Sequence, residues 1–129
     1  MEPRRDRRIA IVDDSPMFVD AAARYVAALP GYALAGTART TDQALALVES
    51  SAPDILLLDL GAAPARGLDL LRRVRALPDA PTVVAMTLFH SPEAAAAAVA
   101  AGAAALVGKD AFVAGLAQVL AGLFPAAAA

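Results

Sequence analysis

The chain alternates short apolar runs with longer stretches in which apolar residues recur every three or four positions. The runs at 8–12 (RIAIV), 32–37 (YALAGT), 54–58 (DILLL), 81–86 (PTVVAM) and 104–107 (AALV) predict five strands, being short, aliphatic and bounded by turn residues. The stretches at about 16–29, 41–51, 65–76, 92–101 and 110–123 predict helices; in the last, Phe112, Leu116, Val119, Leu120 and Leu123 form one apolar stripe. Local punctuation agrees. Ser15-Pro16 and Ser91-Pro92 each set a capping side chain before a proline at the first helical position, and Pro30-Gly31 and Gly102 stop helices. Five strand–helix alternations predict a single α/β domain, a doubly wound (βα)5 parallel sheet with helices on both faces, because right-handed crossovers leave few other arrangements.

Sheets of this kind bind ligands at the carboxyl ends of their strands, where the strand order reverses. The ends here are chemically uneven. Asp13-Asp14 follows the first strand, Asp59 ends the third, Thr87 the fourth, and Lys109 follows the fifth. In DILLLDLG an apolar run drives straight into the Asp59 carboxylate, and a buried carboxylate needs a partner or a task. The second strand ends in Thr37-Ala38-Arg39 with no acid, which fits an edge position in a 2-1-3-4-5 order and lets the other four ends converge. Each residue alone has an ordinary explanation: Asp13 and Asp14 as helix caps, Asp59 as a turn residue, Thr87 as a β-branched strand residue. Lys109 resists one, since a cation just before a helix start sits at the wrong end of the dipole; Asp110 behind it is the expected cap. Jointly, three carboxylates, a hydroxyl and an ammonium point to one site.

Composition sharpens this picture in one place and removes alternatives elsewhere. Of eleven cationic residues only Lys109 is a lysine, so a compact point charge is wanted there. The hydrophobic fraction of 59% reflects 36 alanines rather than a membrane span, and the longest apolar run, 94–108, falls short of the roughly 20 residues that spanning requires. The start MEPRRDRRIAIVDD lacks the apolar core of a secretion signal, so a cytoplasmic location is expected. Without cysteine, metal chemistry falls to oxygen ligands. A net charge of −2 gives no basic field for nucleic acid, and Arg4, Arg5, Arg7 and Arg8, interleaved with Glu2 and Asp6, read as a solvated arm over 1–7 and its junction. The domain itself is expected over 8–124, followed by a low-complexity tail at 125–129.

Clustered carboxylates repel one another, and a bound divalent cation relieves that repulsion. Mg²⁺ suits such a site because it takes one or two carboxylates, waters and phosphate oxygens in octahedral geometry. A carboxylate beside it can attack phosphorus while a hydroxyl and an ammonium take the phosphoryl oxygens, which casts Asp59 as nucleophile and Thr87 and Lys109 as the oxygen partners.

The motifs IVDDS, ILLLDLG with Gly67 eight residues after Asp59, VVAMT and ALVGKD resemble the receiver domain of bacterial two-component response regulators, over residues 8–123. The resemblance implies a flavodoxin-like fold and a phosphoryl group accepted on Asp59 from a histidine kinase or phosphotransfer protein. It implies Mg²⁺ held by Asp14, Asp59 and the Gly61 carbonyl, with Asp13 acting through water. It further implies Thr87 shifting toward the phosphoryl group and Lys109 pairing with it. The domain catalyses only its own phosphorylation and dephosphorylation on this reading. Nothing basic or helix-turn-helix-like follows Phe124, so a stand-alone receiver is expected; a receiver cut from a DNA-binding regulator is the alternative. A pseudo-receiver that never turns over phosphate is a second alternative, disfavoured because all five polar residues are present. An aspartate-nucleophile phosphatase is a third, and Asp59-Leu60-Gly61 lacks the second acid such enzymes carry.

Several positions depart from the family pattern. Pro64 stands one place late in the loop after Asp59, Leu88 is bulkier than the usual alanine beside the threonine, and Asp110 replaces a common proline, leaving the isomer of that peptide open. Leu106 occupies the switch position where an aromatic usually swings inward, so a weaker or differently routed response along the fifth helix is expected. His90 reads as a turn residue and Phe89 as packing, or as a shield over the site. From Ala94 to Gly108 nothing ionises, which makes the fourth helix, fifth strand and fifth helix the expected surface for self-association or an effector.

Overall fold

The computed structural model describes residues 6–125. Strands β1 (Arg7–Val12), β2 (Tyr32–Ala38), β3 (Ile55–Asp59), β4 (Thr82–Thr87) and β5 (Ala105–Gly108) alternate with helices α1 (Pro16–Ala28), α2 (Thr41–Ser51), α3 (Pro64–Arg75), α4 (Pro92–Ala100) and α5 (Phe112–Leu123). All four pairings are parallel and the order is β2-β1-β3-β4-β5, so the chain reverses direction across the sheet between β1 and β3. The expected doubly wound fold is the observed one.

Alternation along each strand builds two cores, as the two-residue side-chain period of a strand dictates. Ile9, Ile11, Ile55, Leu57, Val84, Met86 and Val107 face α1 and α5, while Ala10, Val12, Leu56, Leu58, Val83, Ala85 and Leu106 face α2, α3 and α4. The central strands are buried on both sides, which is why they read as unbroken apolar runs.

Helix starts follow the sequence punctuation. The Ser91 hydroxyl accepts from Ala94 N–H at 3.0 Å and Ser15 from Phe18 N–H at 3.4 Å, each with proline in the first turn. At α2 the cap Thr40 accepts at Oγ1 from Gln43 N–H at 3.2 Å, and Gln43 Oε1 in turn accepts from the N–H of Arg39, one residue before the cap, at 2.9 Å.

Two expectations change. Asp110 does not cap α5; it lies in a 3₁₀ turn over Lys109–Ala111, and α5 starts at Phe112 with no side-chain cap. The tighter turn carries the chain from the end of β5 into α5 while keeping Lys109 at the strand end. Arg7 is not an arm residue but opens β1, one residue before the expected strand start, and Arg8 lies in β1 as the 8–12 run predicts. The Arg7 guanidinium stacks over the Phe124 ring at 4.0 Å, and Arg8 donates to the carbonyls of Ser51 and Ala52 at the C-terminus of α2, where a cation suits the dipole. Arg4 and Arg5 of the arm, and residues 126–129 of the tail, lie outside the described residues.

Candidate functional site

Asp13, Asp14 and Asp59 converge at the carboxyl edge of the sheet. One carboxylate oxygen from each lies within 4.8 Å of the other two, the only such cluster of metal-ligating side chains among the described residues. β1 pairs with β3 through Val12 and Leu58, so the residues that follow on both strands emerge side by side at the edge. Asp13 is buried, its Oδ1 accepting from Ser15 N–H at 2.9 Å, while Asp14 is exposed. This hydrogen bond fixes one Asp13 oxygen and aims the other into the site.

Lys109 completes the cluster from β5. Its Nζ lies 2.7 Å from Asp13 Oδ2 and 3.7 Å from Asp59 Oδ1, with the three side chains almost wholly excluded from solvent. The ammonium is close to Asp13 but poorly aligned for a hydrogen bond, so Asp13 Oδ2 is paired by charge and has no directed donor. A third neighbour is the face of the Phe18 ring, 4.4 Å from Nζ.

Burial pushes the Asp59 carboxyl above its ordinary range, and the charges of Asp13 and Asp14 push the same way. A hydrogen bond from the Gly61 N–H and the charge of Lys109 act against them. Gly61 reaches that position with φ +74, a conformation that favours glycine, although a side chain there would meet open space. Gly67 is required for the opposite reason. A Cβ there would sit 2.4 Å from the Leu60 carbonyl oxygen, so α3 can lie directly on the loop that follows Asp59 only without one.

Thr87 pairs across the sheet with Gly108, one residue before Lys109, and therefore stands at the same edge. Its hydroxyl accepts from Phe89 N–H at 3.3 Å, which turns it toward its own loop, and it does not line either cavity at the site. Leu88 and Phe89 are largely exposed, at 64% and 85%, and Leu88 lines the mouth beside Asp59 and Lys109. Phe89, projecting into solvent, does not cover the carboxylates. Leu106 is 8% exposed and packs in the core below α4. The peptide after Lys109 is trans.

Residues that no motif singled out surround the cluster. A cleft of about 460 Å³ runs from Asp13, Asp14 and Asp59 between Arg39-Thr40 and Arg66. A second, of about 420 Å³, opens between Asp59, Leu88 and Phe18. Phe18, Arg39 and Arg66 had no sequence signal, because what makes them neighbours of the site is tertiary packing between distant segments.

The donor set fits a hard divalent cation: three carboxylates, one oxygen of which is buried without a directed donor, beside open cleft volume for waters that Gly61 also lines. The same cluster offers a nucleophilic carboxylate next to an ammonium. This pairing suits phosphoryl transfer.

Comparison with known proteins agrees. The family description "Response regulator receiver domain" matches residues 9–121. The chain is 34% identical over 70% of its length to a protein-glutamate methylesterase/protein-glutamine glutaminase of Anaeromyxobacter dehalogenans, covering 26% of that protein. It is 42% identical over 49% of its length to the transcriptional regulatory protein DcuR of Shigella flexneri, covering 27% of it. The chain thus spans about a quarter of the length of these relatives. Among solved structures it resembles a response regulator protein from Burkholderia pseudomallei with a phosphorylated aspartic acid, calcium ion and citrate, with a TM-score of 0.75 and 27% identity over 95% of this chain and 69% of that one. With its 2-1-3-4-5 sheet and its acidic edge, this chain belongs to the response regulator receiver domains, the phospho-accepting signalling modules of two-component systems.

Proposed function

We propose that Asp59 is the phosphoacceptor, taking its phosphoryl group from the phosphohistidine of a sensor histidine kinase or phosphotransfer protein. The observation that carries this reading is the placement of Asp59 Oδ1 beside Lys109 within a three-carboxylate cluster. In the transfer, an Asp59 oxygen forms a bond to phosphorus as the P–N bond breaks, and the imidazole leaves with its electron pair. Asp14, Asp59 and the Gly61 carbonyl would hold Mg²⁺, with Asp13 acting through water. When bound, the ion offsets the charge that gathers on the phosphoryl oxygens. Lys109 takes one of those oxygens by leaving Asp13, and Thr87 takes another by giving up its hydrogen bond from Phe89 N–H. The phosphorylated aspartic acid named for the Burkholderia pseudomallei relative supports the same role here.

The consequence of phosphorylation is a change of partner, either an effector or a second copy, at the surface of α4, β5 and α5. Val99 of α4 is 55% exposed there and Leu123 of α5 37%. A cytoplasmic location follows from a kinase donor, and among the described residues no helix is long and apolar enough to cross a membrane. The relatives named as a methylesterase and a transcriptional regulator indicate what a longer chain carrying such a domain does, and either output is compatible with this site.

Binding of beryllofluoride, which mimics the phosphoryl group on a carboxylate, tests the site without a kinase. Saturable binding only when Mg²⁺ is present is expected. Absence of binding at any Mg²⁺ concentration would make the chain a pseudo-receiver.

A further inference from the structure

We infer that Phe18 is a positioning residue for phosphoryl transfer, its ring face holding the Lys109 ammonium at the height from which it meets the phosphoryl oxygen on Asp59. This deepens the role proposed for Asp59 and rests on it.

Two carboxylates alone leave the position of Nζ undetermined. Asp13 draws it to 2.7 Å, Asp59 stands at 3.7 Å on another side, and the four-carbon stem of a lysine allows many intermediate placements. The Phe18 ring is a third neighbour, its centroid 4.4 Å from Nζ, inside the range where the negative face of an aromatic attracts a cation. That attraction is strengthened by the near-absence of solvent, the Lys109 side chain being 9% exposed.

A ring holds a cation in place only if its own plane is fixed. Phe112, the first residue of α5, meets Phe18 edge to face at 5.2 Å and 77°, and Tyr25 meets Phe112 in the same way at 5.8 Å and 72°. The start of α1 is itself anchored by its Ser15 cap, three residues before Phe18. The ammonium therefore rests on a surface built from both helices of one sheet face.

Lys109 is the only lysine, so a sample labelled on lysine alone gives one side-chain spin system. In the phosphate-free wild type the Lys109 Hε protons are expected upfield of free lysine, displaced by the Phe18 ring current. That displacement is expected to vanish in Phe18→Leu and persist in Phe18→Tyr. Phosphorylation by acetyl phosphate with Mg²⁺ is expected to slow roughly three- to ten-fold in Phe18→Leu, the worth of one partly desolvated cation–π contact, and to recover in Phe18→Tyr. Lysine shifts at free-lysine values in the wild type would overturn the inference, and so would equal phosphorylation rates for Phe18→Leu and wild type. The lysine shifts need no phosphoryl group. An upfield lysine in a protein that never phosphorylates would keep the Phe18–Lys109 contact and reject instead the role of Asp59.

Discussion

At the residue scale the site is a cluster of like charges under partial control. Asp59 is pushed up by burial and by Asp13 and Asp14, so the folded chain holds a proton on it more tightly than the unfolded chain does. For a carboxyl raised in this way the unfavourable contribution is absent below its unfolded pKa. It grows as pH rises through the folded value, and stability falls accordingly. Asp59→Asn is therefore expected to raise the metal-free melting temperature at neutral pH by a few degrees, about 1 kcal/mol in a domain of this size. The gain should shrink as pH falls below the carboxylate range, and it should shrink with saturating Mg²⁺, which stabilises only the wild-type cluster. Thermal melts at two pH values check both signs, and a mutant less stable than wild type at pH 7 without metal would reject this account of the charges. Lys109→Arg keeps the charge but spreads it over a planar fork in a space bounded by Asp13, Asp59 and Phe18. A roughly ten- to hundred-fold slower phosphorylation is expected, in line with loss of a placed donor to a developing oxyanion.

The position of Asp59 was legible because a buried apolar run ended on a charge, and Lys109 because it broke an arginine habit. Phe18 was not legible, since an apolar residue on an amphipathic helix carries no mark of a cation on its ring.

At the scale of elements, two short connections decide the geometry. The loop from β3 to α3 is held by Gly67, where any Cβ would strike the Leu60 backbone. Gly67→Ala should cost roughly 1–3 kcal/mol by overpacking, read as a lower denaturation midpoint. It should also weaken Mg²⁺ binding, because Leu60 leads directly into Gly61. A variant with unchanged stability and metal affinity would show that α3 can move away freely. The connection from β5 to α5 was misread from the sequence: Asp110 has the chemistry of a cap, but a 3₁₀ turn intervenes and the helix starts two residues later. Composition identifies residues fit to cap, and the backbone path decides which of them does. The helix starts at Ser15 and Ser91 were legible because serine and proline together leave one register for the first turn. Leu106 is buried below α4, and as a leucine it has less area to transfer between exposed and buried positions than an aromatic would. With beryllofluoride, amide shifts should change strongly near Asp59, Thr87, Leu88 and Lys109 and only modestly along α5.

At the scale of the whole molecule, the two-sided core follows from strand periodicity, which is why the sheet order and the convergence of strand ends could be anticipated together. Which surface carries the signal onward is less marked in the pattern, because alanine is more common on exposed helix faces here than on buried ones. The α4, β5 and α5 face has few charges to oppose association, and Val99 and Leu123 are exposed there. Sedimentation at micromolar concentration should show a larger species with Mg²⁺ and beryllofluoride than without them. A monomer under both conditions would exclude self-association and leave that face to an effector. The central claim, that Asp59 carries the phosphoryl group, is tested most directly by intact-mass spectrometry after incubation with acetyl phosphate and Mg²⁺. The wild type is predicted to gain one phosphoryl group, only when Mg²⁺ is present, and Asp59→Asn to gain none; the same adduct on Asp59→Asn would contradict the assignment.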